Sequence, residues 1–180
     1  MPVFSYRGKT PKIHEDALVS SLATVIGHVE ISEGTAVFPG AVIRGDVAKI
    51  TVGRYSNIQD NVVIHGGDIY EGDNLKGHLP VEIGDYVTVG HGSVVHGSKV
   101  EDVSMIGIRA IVYGGSVVGE GSIVGMNATV LENTKIPKRS VVVGVPAKVI
   151  KAVDDVTYSR IKKHALWYHK LAKSHKGTIF

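Results

Sequence analysis

VEDVSMIGIRAIVYGGSVVGEGSIVGMNATVLENTKIPKRSVV, from Val100 to Val142, decides the fold. Every sixth residue in it is β-branched and aliphatic: Val100, Ile106, Val112, Val118, Val124, Val130, Ile136 and Val142. A period of six is neither the 3.6 of a helix nor the 2 of a half-buried strand. It suits very short strands joined by sharp turns, each strand sending one aliphatic side chain inward. Three such units close a triangular coil, and stacked coils make a parallel β-helix. The same beat extends outward from this run. It passes through Ile13, Val19, Val25, Ile31, Val37 and Ile43, slips by three, and resumes at Val52, Ile58 and Ile64. After an insertion it returns at Ile83, Val89 and Val95, then slips back by one into the long run. Glycine follows the beat residue at Gly53, Gly84, Gly90, Gly107, Gly119 and Gly125, where it is read as easing the backbone of the corner.

The expected architecture is an all-β solenoid over residues 1–150, with an inserted loop at 66–80. Residues 151–180 are expected to form a C-terminal α-helix that packs on the β-helix. Val153, Tyr158, Ile161, Ala165, Tyr168 and Ala172 recur at helical spacing, and Asp154 or Asp155 suits the N-cap. The tail after Ser174 is expected to fray. The hexapeptide beat resembles the left-handed hexapeptide β-helix family, and that resemblance supplies the hand of the coil.

Composition narrows the function. The chain has 180 residues, 43% of them hydrophobic, which suits one domain with a sizeable core. No apolar run approaches a membrane span, so no membrane partner is expected. The opening MPVFSYRGKTPKIHED has no cationic segment leading into an apolar core, so a cytoplasmic location is expected. There is no cysteine, so a metal site would have to use histidine and carboxylate. The net charge of +3 owes much to Lys162, Lys163, Lys170, Lys173 and Lys176, read as a solvated helix face rather than a nucleic-acid surface.

VTVGHGSVVHG, Val87 to Gly97, carries His91 and His96 five residues apart, a spacing that fits neither one strand face nor one helix face. The beat resolves it. His65 follows Ile64 and His96 follows Val95, so both occupy one slot on the third side of successive coils, about 4.8 Å apart. Two imidazoles so placed can share one ion. His91 lies two residues past Val89 on the second side, where only a neighbouring subunit of a threefold trimer could bring it to the other two. By the same count Arg44 lies below His65 and Asp60 below His91. Arg44 of one subunit and Asp60 of the next are then expected to pair across the interface. His14, His28, His164, His169 and His175 are read as surface or hydrogen-bonded residues, and His78 as a plain loop residue.

RGD at Arg44–Asp46, SNIQDNVVIH at Ser56–His65 and GHGSVVHG at Gly90–Gly97 resemble the γ-class carbonic anhydrases and their close relatives, in order and in spacing. The resemblance implies a homotrimer in which His65, His91 and His96 bind zinc, or iron or cobalt, between subunits. It also implies that Gln59 hydrogen-bonds a metal-bound hydroxide and that Arg44 and Asp60 pair across the interface. Asp46 and Tyr168 are candidates for groups around the metal ligands. The implied reaction is reversible hydration of carbon dioxide to bicarbonate. A three-histidine metal with an open position lowers the pKa of its water to about 7, and the hydroxide attacks the carbon. A nearby acid or base must then carry the proton to solvent, for which Asp68, Glu71 and Asp73 of the insertion are candidates. The family pattern has a glutamate directly after RGD where this chain has Val47, which implies weak turnover. Three other readings stay open: a CoA-dependent acyltransferase, which needs a single histidine; a CoA-thioesterase at the same metal; and a non-catalytic metal-bearing scaffold.

Overall fold

In the computed structural model, which describes residues 2–180, the beat residues stack in three columns. On the first side Val52 pairs with Ile83, and Ile83 with Val100. On the second, Ile58 pairs with Val89, and Val89 with Ile106. On the third, Ile64 pairs with Val95, and Val95 with Val112. All six pairings are parallel, and each of these side chains is buried in one continuous core along the axis. The result is a left-handed parallel β-helix closed by one C-terminal helix. The second side forms an eight-stranded sheet. The first and third merge into a twelve-stranded sheet because two long strands, Thr24–Ile31 and Val42–Val52, run around a corner.

That corner explains the slip of three in the beat. Gly27 pairs with Gly45, yet Val29 pairs with Ile50. Two residues of one strand therefore face five of the next, and the extra three lie between Gly45 and Ile50. The excess bulges out where Asp46 and Val47 stand.

Glycine does a different job from the one expected of it. The left-handed corner residues stand three positions after the beat, not one: Tyr55, Asn61, Tyr86, Arg109 and Asn127 have φ between +53° and +59°. The glycines directly after the beat are required by close approach of coils instead. A Cβ added to Gly84 would sit 2.2 Å from the Asp102 carboxylate and 2.8 Å from its backbone nitrogen.

The insertion is ordered as an antiparallel hairpin, Gly67–Glu71 against Asn74–Leu79, rather than an open loop. After the last coil the strand Lys148–Ala152 turns back antiparallel onto Ser140–Val143. The helix Asp155–Ser174 follows, capped by Asp154, which accepts from the Thr157 N–H at 2.7 Å. Twenty helical residues reach about 30 Å, or about six coils, so the helix can strap the whole second side. The Tyr158 hydroxyl donates to Glu120 at 2.8 Å near its start. Ile161 packs with Val103 and Val141, and Ala172 with Ala36 and Phe38 near its end. The tail docks instead of fraying. The Ser21 N–H donates to the Ile179 carbonyl at 2.9 Å, and Phe180 packs edge-on against Phe38. Among the described residues no helix is long and apolar enough to cross a membrane.

Ile106 is fully buried in the run that carries the longest unbroken beat. Ile106→Ala is expected to destabilise the protein by about 2–5 kcal/mol. Denaturant unfolding checks this; a loss under about 1 kcal/mol would mean that the column is not tightly packed.

Candidate metal centre

Register places His96 directly beside His65 on adjacent coils, with Arg44 on the other side of His65. The facing atoms, His65 Nδ1 and His96 Nε2, are 3.3 Å apart. Two nitrogens on a tetrahedral ion at about 2.0–2.1 Å each lie about 3.4 Å from one another. The pair therefore has the separation of one edge of such a site. The other nitrogen of His65 meets Asp46 Oδ1 at 2.9 Å, a contact made by the three-residue bulge. A carboxylate on Nε2 fixes the tautomer and leaves the lone pair on Nδ1, facing His96. Arg44 pairs in turn with Asp46.

His96 stacks on Tyr113, its register partner on the next coil, with ring centroids 5.1 Å apart. Burial, and secondarily the neighbouring His65, lower its pKa, so it stands as the neutral imidazole that a metal requires. Its Nδ1 is buried and has no hydrogen-bond partner. The facing pair is the part that suits an ion, because two ring nitrogens each presenting a lone pair repel unless a cation or a proton lies between them; Nδ1 is on the other side of the His96 ring. The donor set fits a divalent metal, but one chain does not complete it: among the described residues no group of three histidine, cysteine, aspartate or glutamate side chains could hold a metal.

His91 lies on the corner between the second and third sides. Its Nδ1 meets Asp60 Oδ2 at 2.8 Å, which leaves Nε2 with the lone pair, and its side chain is 43% exposed. Within one chain, Arg44 and Asp60 thus take Asp46 and His91 as partners, not each other. Gln59 is 3% exposed behind His91. Its Oε1 accepts from the His91 N–H at 3.2 Å, and its Nε2 donates to Asn57 at 3.1 Å. Tyr168, reaching over from the helix, packs edge-on to Phe38 with its hydroxyl beside Gln59.

The hairpin separates the three acidic candidates. Asp68 lines a cleft of about 480 Å³ together with His96, Tyr113 and Glu132. It also meets His78 Nδ1 across the hairpin at 2.8 Å, so His78 is a paired residue rather than a plain loop one. Glu71 pairs with Lys76 at 3.2 Å near the tip, and Asp73 lies exposed in the turn between the two hairpin strands. Tyr113, one coil beyond His96 in the same slot, could have been found by the column count. Asn57 and Thr88 occupy the slot just before the beat on the second side, where Ala36, Met105 and Ile123 are their column mates.

Burial works against ionising Asp46, but hydrogen bonds from Arg44 and His65 outweigh it and hold the carboxyl below its ordinary value. Its stabilisation is therefore present above the unfolded pKa of about 3.9 and is lost as pH falls through the lower folded value. Asp46→Asn is expected to be less stable than the natural chain at pH 7, with the gap closing in acid. Unfolding curves between pH 7 and pH 3 test this, and a gap that stays constant would refute it.

No family model matches the chain. It is 41% identical over 162 residues to a probable carbonic anhydrase of Methanocaldococcus jannaschii, covering 90% of this chain and 96% of that one. It is 40% identical over 168 residues to the mitochondrial gamma carbonic anhydrase 2 of Arabidopsis thaliana, covering 93% of this chain. There the chain spans only 59% of the relative's length. Among solved structures, a hexapeptide transferase family protein from Anaplasma phagocytophilum superposes with a TM-score of 0.88 at 28% identity, over 97% of this chain and 98% of that one. With a relative at 41% identity aligned along nearly its whole length, and the gamma carbonic anhydrase at 40%, the chain belongs to the γ-class carbonic anhydrase family.

Proposed function

We propose that the protein is a metal-dependent carbonic anhydrase-like enzyme whose sites form between subunits of a homotrimer. His65 and His96 come from one subunit and His91 from the next. The observation that carries this reading is the facing of His65 Nδ1 and His96 Nε2 at 3.3 Å, with His91 held apart on another corner. Exposed apolar side chains flank both halves. Val63, Ile111, Tyr113 and Leu131 stand out on the third side, and Ile108 and Met126 stack over His91 on its corner. Two different apolar surfaces on one chain suit a head-to-tail contact that closes as a ring.

Zinc, iron or cobalt held by three imidazoles with an open position would supply a nucleophile at neutral pH for attack on carbon dioxide. The chain's own residues would arrange everything else. Asp46 and Asp60 orient the His65 and His91 rings through their outer nitrogens. Arg44 of one subunit faces Asp60 of the next and sets their register. Gln59 offers its carbonyl oxygen at the His91 corner as a hydrogen-bond acceptor for the attacking group. Asp68 is the proton acceptor of choice among the three acidic residues, because it shares a cleft with His96. Val47, apolar and 38% exposed, supplies no proton acceptor beside the bulge, so turnover is limited by proton transfer. The likeness to a hexapeptide transferase supports a second reading, acyl transfer, which would need one histidine and no metal. Thioester hydrolysis at the metal and a non-catalytic scaffold would keep the metal but not hydrate carbon dioxide.

The natural chain is expected to carry about one metal per subunit and to run as a trimer. His65→Ala, His91→Ala and His96→Ala are each expected to lose the metal. Refolding His65→Ala together with His91→Ala should restore about a quarter of the metal, because only sites that take both good halves are complete. No recovery on mixing would place all three ligands in one chain and refute the shared site. Carbon dioxide hydration by protein loaded with zinc, cobalt or anaerobic iron tests the activity. A rate no higher than the His65→Ala control with every metal would overturn the enzyme reading.

A further inference from the structure

Behind Gln59 runs a file of buried polar side chains that ends on the C-terminal helix. Gln59 Nε2 donates to Asn57 Oδ1 at 3.1 Å, and Asn57 Nδ2 donates to Thr88 Oγ1 at 2.9 Å. Thr88 Oγ1 then lies 3.3 Å from His164 Nδ1. Asn57, Thr88 and Gln59 are 0%, 2% and 3% exposed, so water does not substitute for these partners. His164 arrives from 76 residues away in sequence.

Proton counting gives the file one direction. The His91 backbone N–H can only donate, and it donates to Gln59 Oε1 at 3.2 Å. The Gln59 amide group must therefore point toward Asn57, and the Asn57 amide group toward Thr88. The Thr88 oxygen accepts there and keeps its own proton, which it can donate to the lone pair of a neutral His164 Nδ1. Burial lowers the pKa of His164, in keeping with a neutral ring, and Tyr168 packs against that ring at 4.9 Å between centroids. Reversing the Gln59 amide would set donor against donor at His91 and acceptor against acceptor at Asn57.

We propose that His164 is a positioning residue: through Thr88 and Asn57 it holds the Gln59 carboxamide with its oxygen toward the His91 corner. The helix is thus part of the site's machinery as well as a strap. This rests on the role given to Gln59 above. The test is nuclear magnetic resonance of the Gln59 side-chain amide, assigned by its loss in Gln59→Leu, alongside hydration kinetics of the zinc-loaded trimer. His164→Phe is expected to shift the amide signals and speed their solvent exchange on the order of tenfold, with metal content and trimer mass unchanged. The kcat should fall roughly threefold to tenfold, the equivalent of one neutral hydrogen bond, while KM holds. His164→Asn, whose Oδ1 can stand where Nδ1 was, should restore both. Thr88→Val breaks the same link and serves if His164→Phe does not fold; Thr88→Ser should behave as the natural chain. Unchanged Gln59 amide signals in both His164→Phe and Thr88→Val would overturn the proposal. If the amide responds but even the natural chain hydrates no carbon dioxide, the enzyme reading fails and the positioning role stands.

Discussion

Everything in this molecule hangs on the stacking of one coil upon the next at about 4.8 Å. Backbone hydrogen bonds fix that spacing, and a single inward β-branched side chain per strand fills the space enclosed. Because each coil repeats the last, a residue's slot in the hexad sets its height, its side of the triangle and its direction. The constraint also explains the glycines. Coils this close leave no room for a Cβ at Gly84, whereas the left-handed corners are borne by residues such as Tyr55 and Asn127. Steric closeness and backbone hand are separate demands, met at separate positions in the repeat.

Chemistry enters where the repeat is broken. The three additional residues after Gly45 push Asp46 out far enough to meet His65. The hairpin between Ile64 and Ile83 brings Asp68, paired with His78, to the cleft beside His96. Across the second break the register resumes and does the positioning itself, setting His96 beside His65 on adjacent coils. A rigid ladder with local excursions suits a site that needs rings held at fixed separation and acids brought in around them.

The C-terminal helix belongs to the same design. It lies along the second side, where Tyr158, Ile161, His164, Tyr168 and Ala172 each meet a different part of the coil stack. Beside its buried Ile161, Ala165 and Ala172 it sets half-buried polar and aromatic side chains, Tyr158, His164 and Tyr168, against the coils. That composition suits holding particular side chains in place better than it suits simple apolar coverage. Docking of Phe180 on Phe38 ties the far end down at the base of the coil.

The sequence by itself determined the coil, because a strict period of six admits few other solutions, and counting along it put His65 with His96, Arg44 beside His65 and Asp60 beside His91. It also placed the terminal helix and narrowed its cap to Asp154 or Asp155, between which the structure chose Asp154. Family likeness, not periodicity, supplied the left hand, since chirality leaves no trace in spacing. Tertiary structure alone decided what lies off the beat. The hairpin's shape, the Asp68–His78 contact and the docked tail depend on side chains with no repeat to register them. His164 is the clearest case: helical periodicity orders residues around an axis, but it does not say which coil that axis crosses. Only packing of the helix on the second side brings His164 to Thr88, and so joins residues far apart in sequence into one hydrogen-bonded file.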